Sequence, residues 1–502
     1  MKNIKITLLL ILVAAISSCK KIDSLQQDSA AIYNAKPQLI LTGLLLNSSD
    51  SPWSTDQRHN QYMVLNFELY GAQSYNWTTG SFAEYDQLRN VVRMEIEAEA
   101  DKAGALGAPY IALAKFFRAY FFTRLTERFG DVPMSEALQG TSNGNFVPKY
   151  DNQKQVYQQI LQLLEEANTL LAPLVTEGKK VEGDFYYGGN LAKWQKLINS
   201  FKLRVLMSLS KRADDNPDLN IKQQFAAIVN NPVKYPIVLD NADNFQLVYN
   251  GNNRNNNYPL WPADGVVIKY DNRNTLAATY VNIAKNTQDP RLMVVAWPTD
   301  SAKNSGDANY VKKFTSYRGG NTGDLQSTLQ KQTVDGKLSM INFDYWMASP
   351  SGVPCVQLGA YETHLTIAEA INRGWLTGDA AEHYGLGIKS SMQFYGVKIE
   401  DIEKFMLINP YKGNSTEGLK QILNQKYMAF FQNSGLEAYY QFRRTGIPVF
   451  NIGPSNANNN AIPTRWAYPT SEYTVNEKNI KDAIASQFGG ADTQNGIMWK
   501  TK

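Results

Sequence analysis

The sequence predicts a mainly α protein: a scaffold of tetratricopeptide-like helix pairs interrupted by one large, irregular, loop-rich insertion. Three observations predict it. Apolar residues recur at helical spacing over about 80–231 and again over about 360–445. The stretch between them, roughly 232–358, is rich in Asn, Gly, Pro and Tyr and has no long helical period. Aromatics reach 12% of the 502 residues while charged residues are only 19%. Such an excess of large rings suits both helix-pair cores and surfaces that bind by stacking.

The chain opens with Lys2 and Lys5, an apolar run from Ile6 to Ile16, then Ser17-Ser18 directly before Cys19. This is the charged, apolar and small-residue order of a secretory signal. The run is too short for a membrane-spanning helix, which needs about 20 residues. Ala15-Ile16-Ser17-Ser18-Cys19 resembles a bacterial lipobox, which implies cleavage after residue 18 and a lipid on Cys19. Residues 19–34 then read as a polar tether, and 35–502 as a single domain.

Residues 82–104 form the first helical stretch, rich in strong helix formers. In 109–129, Ala114, Phe117, Phe121 and Leu125 share one face, and Gly130 stops the helix. The pattern repeats over 153–172. It repeats again over 190–212, where Trp194, Ile198, Phe201, Val205 and Leu209 line a face while Lys193, Lys196 and Lys202 fall mostly elsewhere. Helical periods return at 361–373, 379–395 and 417–433, and the tail from 446 is again rich in Pro and Asn. Long loops with this aromatic content argue for a functional insertion rather than disorder.

The net charge is +4, falling to +2 once Lys2 and Lys5 are removed, with acids and bases interspersed. No basic block suggests nucleic acid. If Cys19 is lipidated, Cys355 is a lone thiol with no disulfide partner, read as buried. No H-E-x-x-H, G-x-S-x-G or phosphate-binding glycine loop occurs, and no Cys/His cluster has zinc spacing. Asp240 and Asp243 do not match the spacing of a calcium loop. These absences by themselves leave a glycan-cleaving enzyme open as a rival class; the expectation of a binding protein without metal, cofactor or catalytic residues comes with the resemblance that follows.

Several segments together resemble the SusD/RagB nutrient-binding outer-membrane lipoproteins of Bacteroidetes. They are 114–138 with the turn Phe129-Gly130-Asp131-Val132-Pro133, residues 193–212 around Trp194 and Asn199-Ser200-Phe201, and Asp289-Pro290-Arg291-Leu292. Ile367-Ala368-Glu369-Ala370 with Arg373-Gly374-Trp375, residues 425–448 with Arg443-Arg444-Thr445-Gly446, and Pro463-Thr464-Arg465-Trp466-Ala467-Tyr468-Pro469 complete the set. Met498-Trp499-Lys500 stands where many relatives carry a Trp-Trp-Asp type ending. The resemblance implies four tetratricopeptide-like helix pairs and a cell-surface role over a SusC-like TonB-dependent transporter. There such proteins capture oligosaccharides, or in some branches peptides, and close over the barrel like a lid.

A sugar binder needs exposed rings for apolar C–H faces and planar polar groups for hydroxyls. The candidates lie in loops: Trp53; Tyr75, Asn76 and Trp77; Arg254, Asn255, Tyr258 and Trp261; Tyr317; Tyr345 and Trp346. Asn76-Trp77 and the 250–261 loop stand first. For each ring the alternative is a place in the core. Arg443, Arg444 and Glu369 read as structural, satisfying helix-end carbonyls or pairing with acids such as Glu437. Asp23-Ser24-Leu25, Asp28-Ser29-Ala30 and Asp300-Ser301-Ala302 resemble the short O-glycosylation motif of exported Bacteroidetes proteins. For the N-terminus, Cys19→Ala is expected to leave a folded protein that is lost from the cell surface. Surface labelling of cells checks this, and labelling that persists overturns the lipid anchor.

Overall fold

The structure, a computed structural model, describes residues 36–502 apart from 65, 68–72, 79, 101–105, 263–264, 266–272 and 274. Cys19, the tether and the motifs at Asp23 and Asp28 lie outside the described residues. The helical scaffold begins with α1 (Pro37–Ser48), α2 (Glu84–Ala100), α3 (Ala108–Phe129), α4 (Gln153–Thr176), α5 (Leu191–Ser208) and α6 (Ile221–Asn230). Each packs on its neighbour in this order. Helix α3 is apolar nearly all round, with Phe116, Phe117, Phe121 and Phe122 all buried, as a helix enclosed between two others must be. It stops where Gly130 adopts φ +89, and a Cβ there would lie 1.8 Å from Gln487 Oε1. Helix α4 starts with a reciprocal cap between Asn152 and Gln155, and α5 with Asn190 accepting from two backbone amides.

The second half of the scaffold holds α9 (Ala360–Asn372), α10 (Ala380–Phe394), α11 (Ile399–Ile408), α12 (Thr416–Ala429), α13 (Glu437–Thr445) and α14 (Glu477–Phe488). Helix α9 packs against α10, α12 and α5, so α5 and α9 join the two halves. The insertion is less irregular than its composition predicts. It carries α7 (Ala278–Thr287), α8 (Gln326–Val334) and β1 (Phe245–Leu247), which pairs antiparallel with β2 (Cys355–Leu358). Strands of three and four residues and helices of nine and ten are too short for periodicity to stand out.

Two large apolar clusters fill the scaffold. One surrounds Phe116, Phe117, Trp194 and Phe201; the other surrounds Tyr62, Tyr280, Trp346, Tyr427 and Phe431. Buried ion pairs run through and between them. Arg204 on α5 grips Glu362 on α9 with two bonds of 2.6 Å. Glu127 on α3 receives Arg443 at 2.7 Å and also Lys500. Glu369 receives Arg444 at 2.5 Å and Arg373 at 2.8 Å. In the Asp289-Pro290-Arg291 segment, Arg291 folds back on Asp289 at 2.6 Å, both fully buried, and reaches Ser391 Oγ and Gln425 Oε1.

The structural reading of Arg443, Arg444 and Glu369 therefore holds, with different partners. Glu437 is paired with neither arginine; it lies 3.8 Å from Arg204. Lys202 is buried rather than on an outer face, and donates to Glu165 at 2.7 Å. Asp243 pairs with Lys196 at 2.6 Å and Asp240 caps a short turn through Ala242 N. Lys500, in the ending that departs from the resemblance, is among the most buried charges of the chain.

Burial alone would raise the Glu369 carboxyl, but Arg444 and Arg373 outweigh it and bring it down to about 2 from 4.5. A lowered carboxyl contributes stability that is complete above its ordinary value and is lost as pH falls toward the folded one. Stability in urea should therefore drop between about pH 4.5 and pH 2. Glu369→Gln, which leaves Arg444 buried without a counter-charge, should cost about 3–5 kcal/mol at pH 7. Unfolding curves at both pH values check this; a variant as stable as the parent contradicts it.

Candidate functional site

Three remote segments meet at one aromatic cluster. Trp53 comes from the loop after α1, Tyr258 from the loop after β1, and Tyr345-Trp346 from the short turn Phe343–Trp346. Trp53 Nε1 donates to Tyr258 Oη at 2.7 Å. Its ring meets Trp346 edge-on, with centroids 4.9 Å apart, and Trp346 lies parallel to Tyr258 at 6.5 Å. Tyr345 stands edge-on to Trp346 at 4.9 Å. Trp53 adopts φ +64, a conformation unusual for a bulky residue. Its amide donates to Gln432 Oε1 at 2.7 Å, so the indole is fixed at both ends. Backbone in such a region persists only where the surroundings over-determine it, as at a positioned binding residue.

Tyr258 is held by its own backbone as well. Its amide donates to Pro350 O at 2.7 Å. Gly352, at φ +50, passes so close that a Cβ would sit 2.3 Å from the Tyr258 ring. The Asn-rich loop is ordered by its own side chains: Asn252 N donates to Asn250 Oδ1 at 3.1 Å and Asn255 N to Asn253 Oδ1 at 3.0 Å. Asn250 N closes the loop on Asn256 O at 2.9 Å. Arg254 and Asn255 are exposed, and Trp53, Tyr249, Trp261 and Tyr345 are half-buried; Trp261 is tied to the cluster through its amide, which donates to Tyr258 O at 2.8 Å. Tyr249, edge-on to Tyr258 at 5.4 Å, is absent from the sequence-derived candidates. Its place directly before the Asn run was the signal available.

Burial corrects five of the expected platforms. Tyr75, Trp77, Tyr258, Tyr317 and Trp346 all belong to the core, with Tyr258 at 1% and Trp346 at 2% exposure. Tyr258 and Trp346 are supports beneath the half-buried rings. Tyr75 and Trp77 lie elsewhere. Trp77 stacks on Trp466 at 5.1 Å and touches His59 and Tyr439, while Tyr75 Oη donates to Asn451 O at 2.7 Å. From 75 to 78 burial alternates in, out, in, out, so Asn76 alone of the three is exposed. The alternation is not that of a strand, because Tyr75 itself adopts φ +56; the fold turns Tyr75 and Trp77 inward from a kinked loop. Tyr317 donates its hydroxyl to Val311 O at 3.1 Å, away from the cluster.

Cys355 is buried, with Sγ 3.1 Å from Asp50 O, and burial pushes its thiol far above the ordinary range. His59 is pushed down to about 3 by burial and by Arg58 and Arg128. Among the described residues no group of three or more His, Cys, Asp or Glu is placed to hold a metal ion, and no helix is long and apolar enough to cross a membrane.

Residues 29–469 match the family model described as starch-binding, associating with the outer membrane, SusD-like. The chain belongs to the SusD-like family. Its fold agrees with two SusD homologues from Bacteroides fragilis. One is 31% identical, covers 93% of this chain and 100% of its own, and has a TM-score of 0.83. The other is 32% identical, with 93% and 99% coverage and a TM-score of 0.80. A chitin-binding SusD homologue from Flavobacterium johnsoniae shares the fold at 21% identity, with 93% and 98% coverage and a TM-score of 0.72. No curated protein matches the chain. Membership places the chain in a family described as starch-binding and associated with the outer membrane.

The positions of the two tryptophans give opposite expectations. Trp77→Ala empties a buried site between Trp466, Tyr439 and His59 and should cost about 3–5 kcal/mol. Trp261→Ala, at the half-buried rim, should cost well under half of that. Thermal unfolding of both variants checks the order, and equal losses contradict the placement.

Proposed function

We propose that this SusD-like protein captures oligosaccharides at the cluster of Trp53, Tyr249, Trp261 and Tyr345 and passes them to a SusC-like TonB-dependent transporter, acting as its lid. In this reading Cys19 is lipidated, residues 19–34 tether the protein to the outer membrane, and 35–502 form one binding domain facing the exterior. The observation that carries the ligand assignment is the convergence of three remote loops on half-buried rings that pack on buried ones. Trp346 and Tyr258 form the brace. Asn255 and Arg254, exposed in the loop that leads into Tyr258, supply planar donors suited to hydroxyls. The family description as starch-binding supports a glycan, and a rigid ring platform suits the apolar face of a sugar ring.

The test is calorimetry of the purified protein with a panel of starch-derived and chitin-derived oligosaccharides and a peptide library. Tyr345→Ala and Trp261→Ala should each weaken the best glycan about threefold to tenfold, in line with about 0.5–1.5 kcal/mol per ring contact. Unchanged affinity in both variants removes the cluster from the binding site. Binding of peptides alone replaces the oligosaccharide reading with oligopeptide uptake.

A further inference from the structure

The chain has three histidines, and two of them meet. His364 on α9 and His383 on α10 face each other through their Nδ1 atoms, 3.1 Å apart. On its other side His364 Nε2 lies 3.2 Å from Leu239 O. A carbonyl only accepts, so this nitrogen carries the hydrogen and His364 Nδ1 is a bare lone pair. His383 then donates its Nδ1–H to that lone pair and keeps Nε2 bare. His364 is buried and His383 half-buried, so the pair sits at the end of a short path from solvent.

We propose that His364 and His383 form a two-imidazole chelate for a divalent transition-metal ion of the zinc or copper class. Two imidazole nitrogens bound at about 2.0–2.1 Å in tetrahedral geometry stand about 3.3 Å apart. To reach that spacing the pair opens by a few tenths of an ångström, and the rings, which now aim at one another along the hydrogen bond, turn so that both lone pairs converge on the ion. The contact from His364 Nε2 to Leu239 O is the outer bond that metal-binding histidines use to fix ring and tautomer. Burial, first of all, lowers both rings, His364 to about 4, so both are neutral near pH 7 as ligands must be. Binding also requires a change of tautomer. His383 loses the hydrogen on Nδ1 to solvent and gains one on Nε2, so its charge does not change. Water completes the coordination. Asp379 and Glu382 lie close enough to favour positive charge at His383. Asp379 is itself committed to the cap of α10, accepting from Ala381 N and Glu382 N.

The ion would tie α9 to α10 beside the segment that leads into β1 and the Asn-rich loop. That segment is already fastened to α10 by Asn241 Nδ2 donating to Ser390 O at 2.8 Å. The two histidines stand nineteen positions apart, far from the i, i+4 spacing by which a histidine pair announces itself on one helix.

The experiment is calorimetric titration of the tag-free, chelator-treated protein with Zn2+, alongside His383→Ala, whose half-exposed side chain can be removed without opening the core. The expected result is one saturable Zn2+ per parent chain, at least tenfold weaker in the variant, and a Zn2+-dependent rise in Tm in the parent only. One equivalent of Cu2+ should show splitting from two nitrogen ligands in its paramagnetic resonance spectrum. Absence of saturable binding, equal binding by the variant, or a copper spectrum without two nitrogens each overturns the proposal.

Discussion

Two buried carboxylates, Glu127 on α3 and Glu369 on α9, set the constraint on which the two halves of this fold depend. A carboxylate taken out of water must be matched by positive charge and hydrogen bonds or it will not stay ionised. Glu127 finds Arg443 and Lys500; Glu369 finds Arg444 and Arg373. Adjacent arginines on α13 thus bind acids on two different helices of the two halves, and the C-terminal turn is drawn in through Lys500. Such pairs add little net stability over an apolar packing of the same volume. What they do is penalise any arrangement in which one member moves away. Arg204 with Glu362, across α5 and α9, applies the same penalty at the junction of the halves.

That rigidity is what allows three loops to build one aromatic platform. Trp53, Tyr258 and Trp346 are far apart in sequence, and each is fixed by a bond to something distant: Trp53 to Gln432, Tyr258 to Pro350, Trp346 to Val295 through its indole nitrogen. The half-buried rings that rest on this brace, Trp53, Tyr249, Tyr345 and Trp261, are thereby ordered in advance, so a ligand bound there would not have to order them. The metal chelate between α9 and α10 would act on the same framework from its other side, at the segment that feeds β1.

Much of the scaffold was legible. The periods over 109–129 and 153–172 correspond to α3 and α4, and Gly130 ends its helix because its conformation excludes a side chain. Trp194 and Phe201 are core residues as their spacing implies. The short elements of the insertion were not legible, since three or four residues carry no period. The site was legible only in part. Tyr75 and Trp77 resemble loop aromatics because their neighbours are polar, yet both turn inward, Tyr75 on a left-handed backbone that no local pattern announces. Tyr249 carried one local signal, its place directly before the Asn run; nothing else distinguishes it from the other tyrosines.

The sequence by itself determined the helical periods, the helix caps and stops, and the ordered signatures that place the chain among SusD-like proteins. These depend on residues a few positions apart, where local geometry is nearly fixed by the chain itself. Tertiary structure alone decided which rings are open and which are buried, which acid each arginine pairs with, and that His364 and His383 face one another. Exposure and pairing are properties of surfaces brought together from distant parts of the chain. No local pattern contains them.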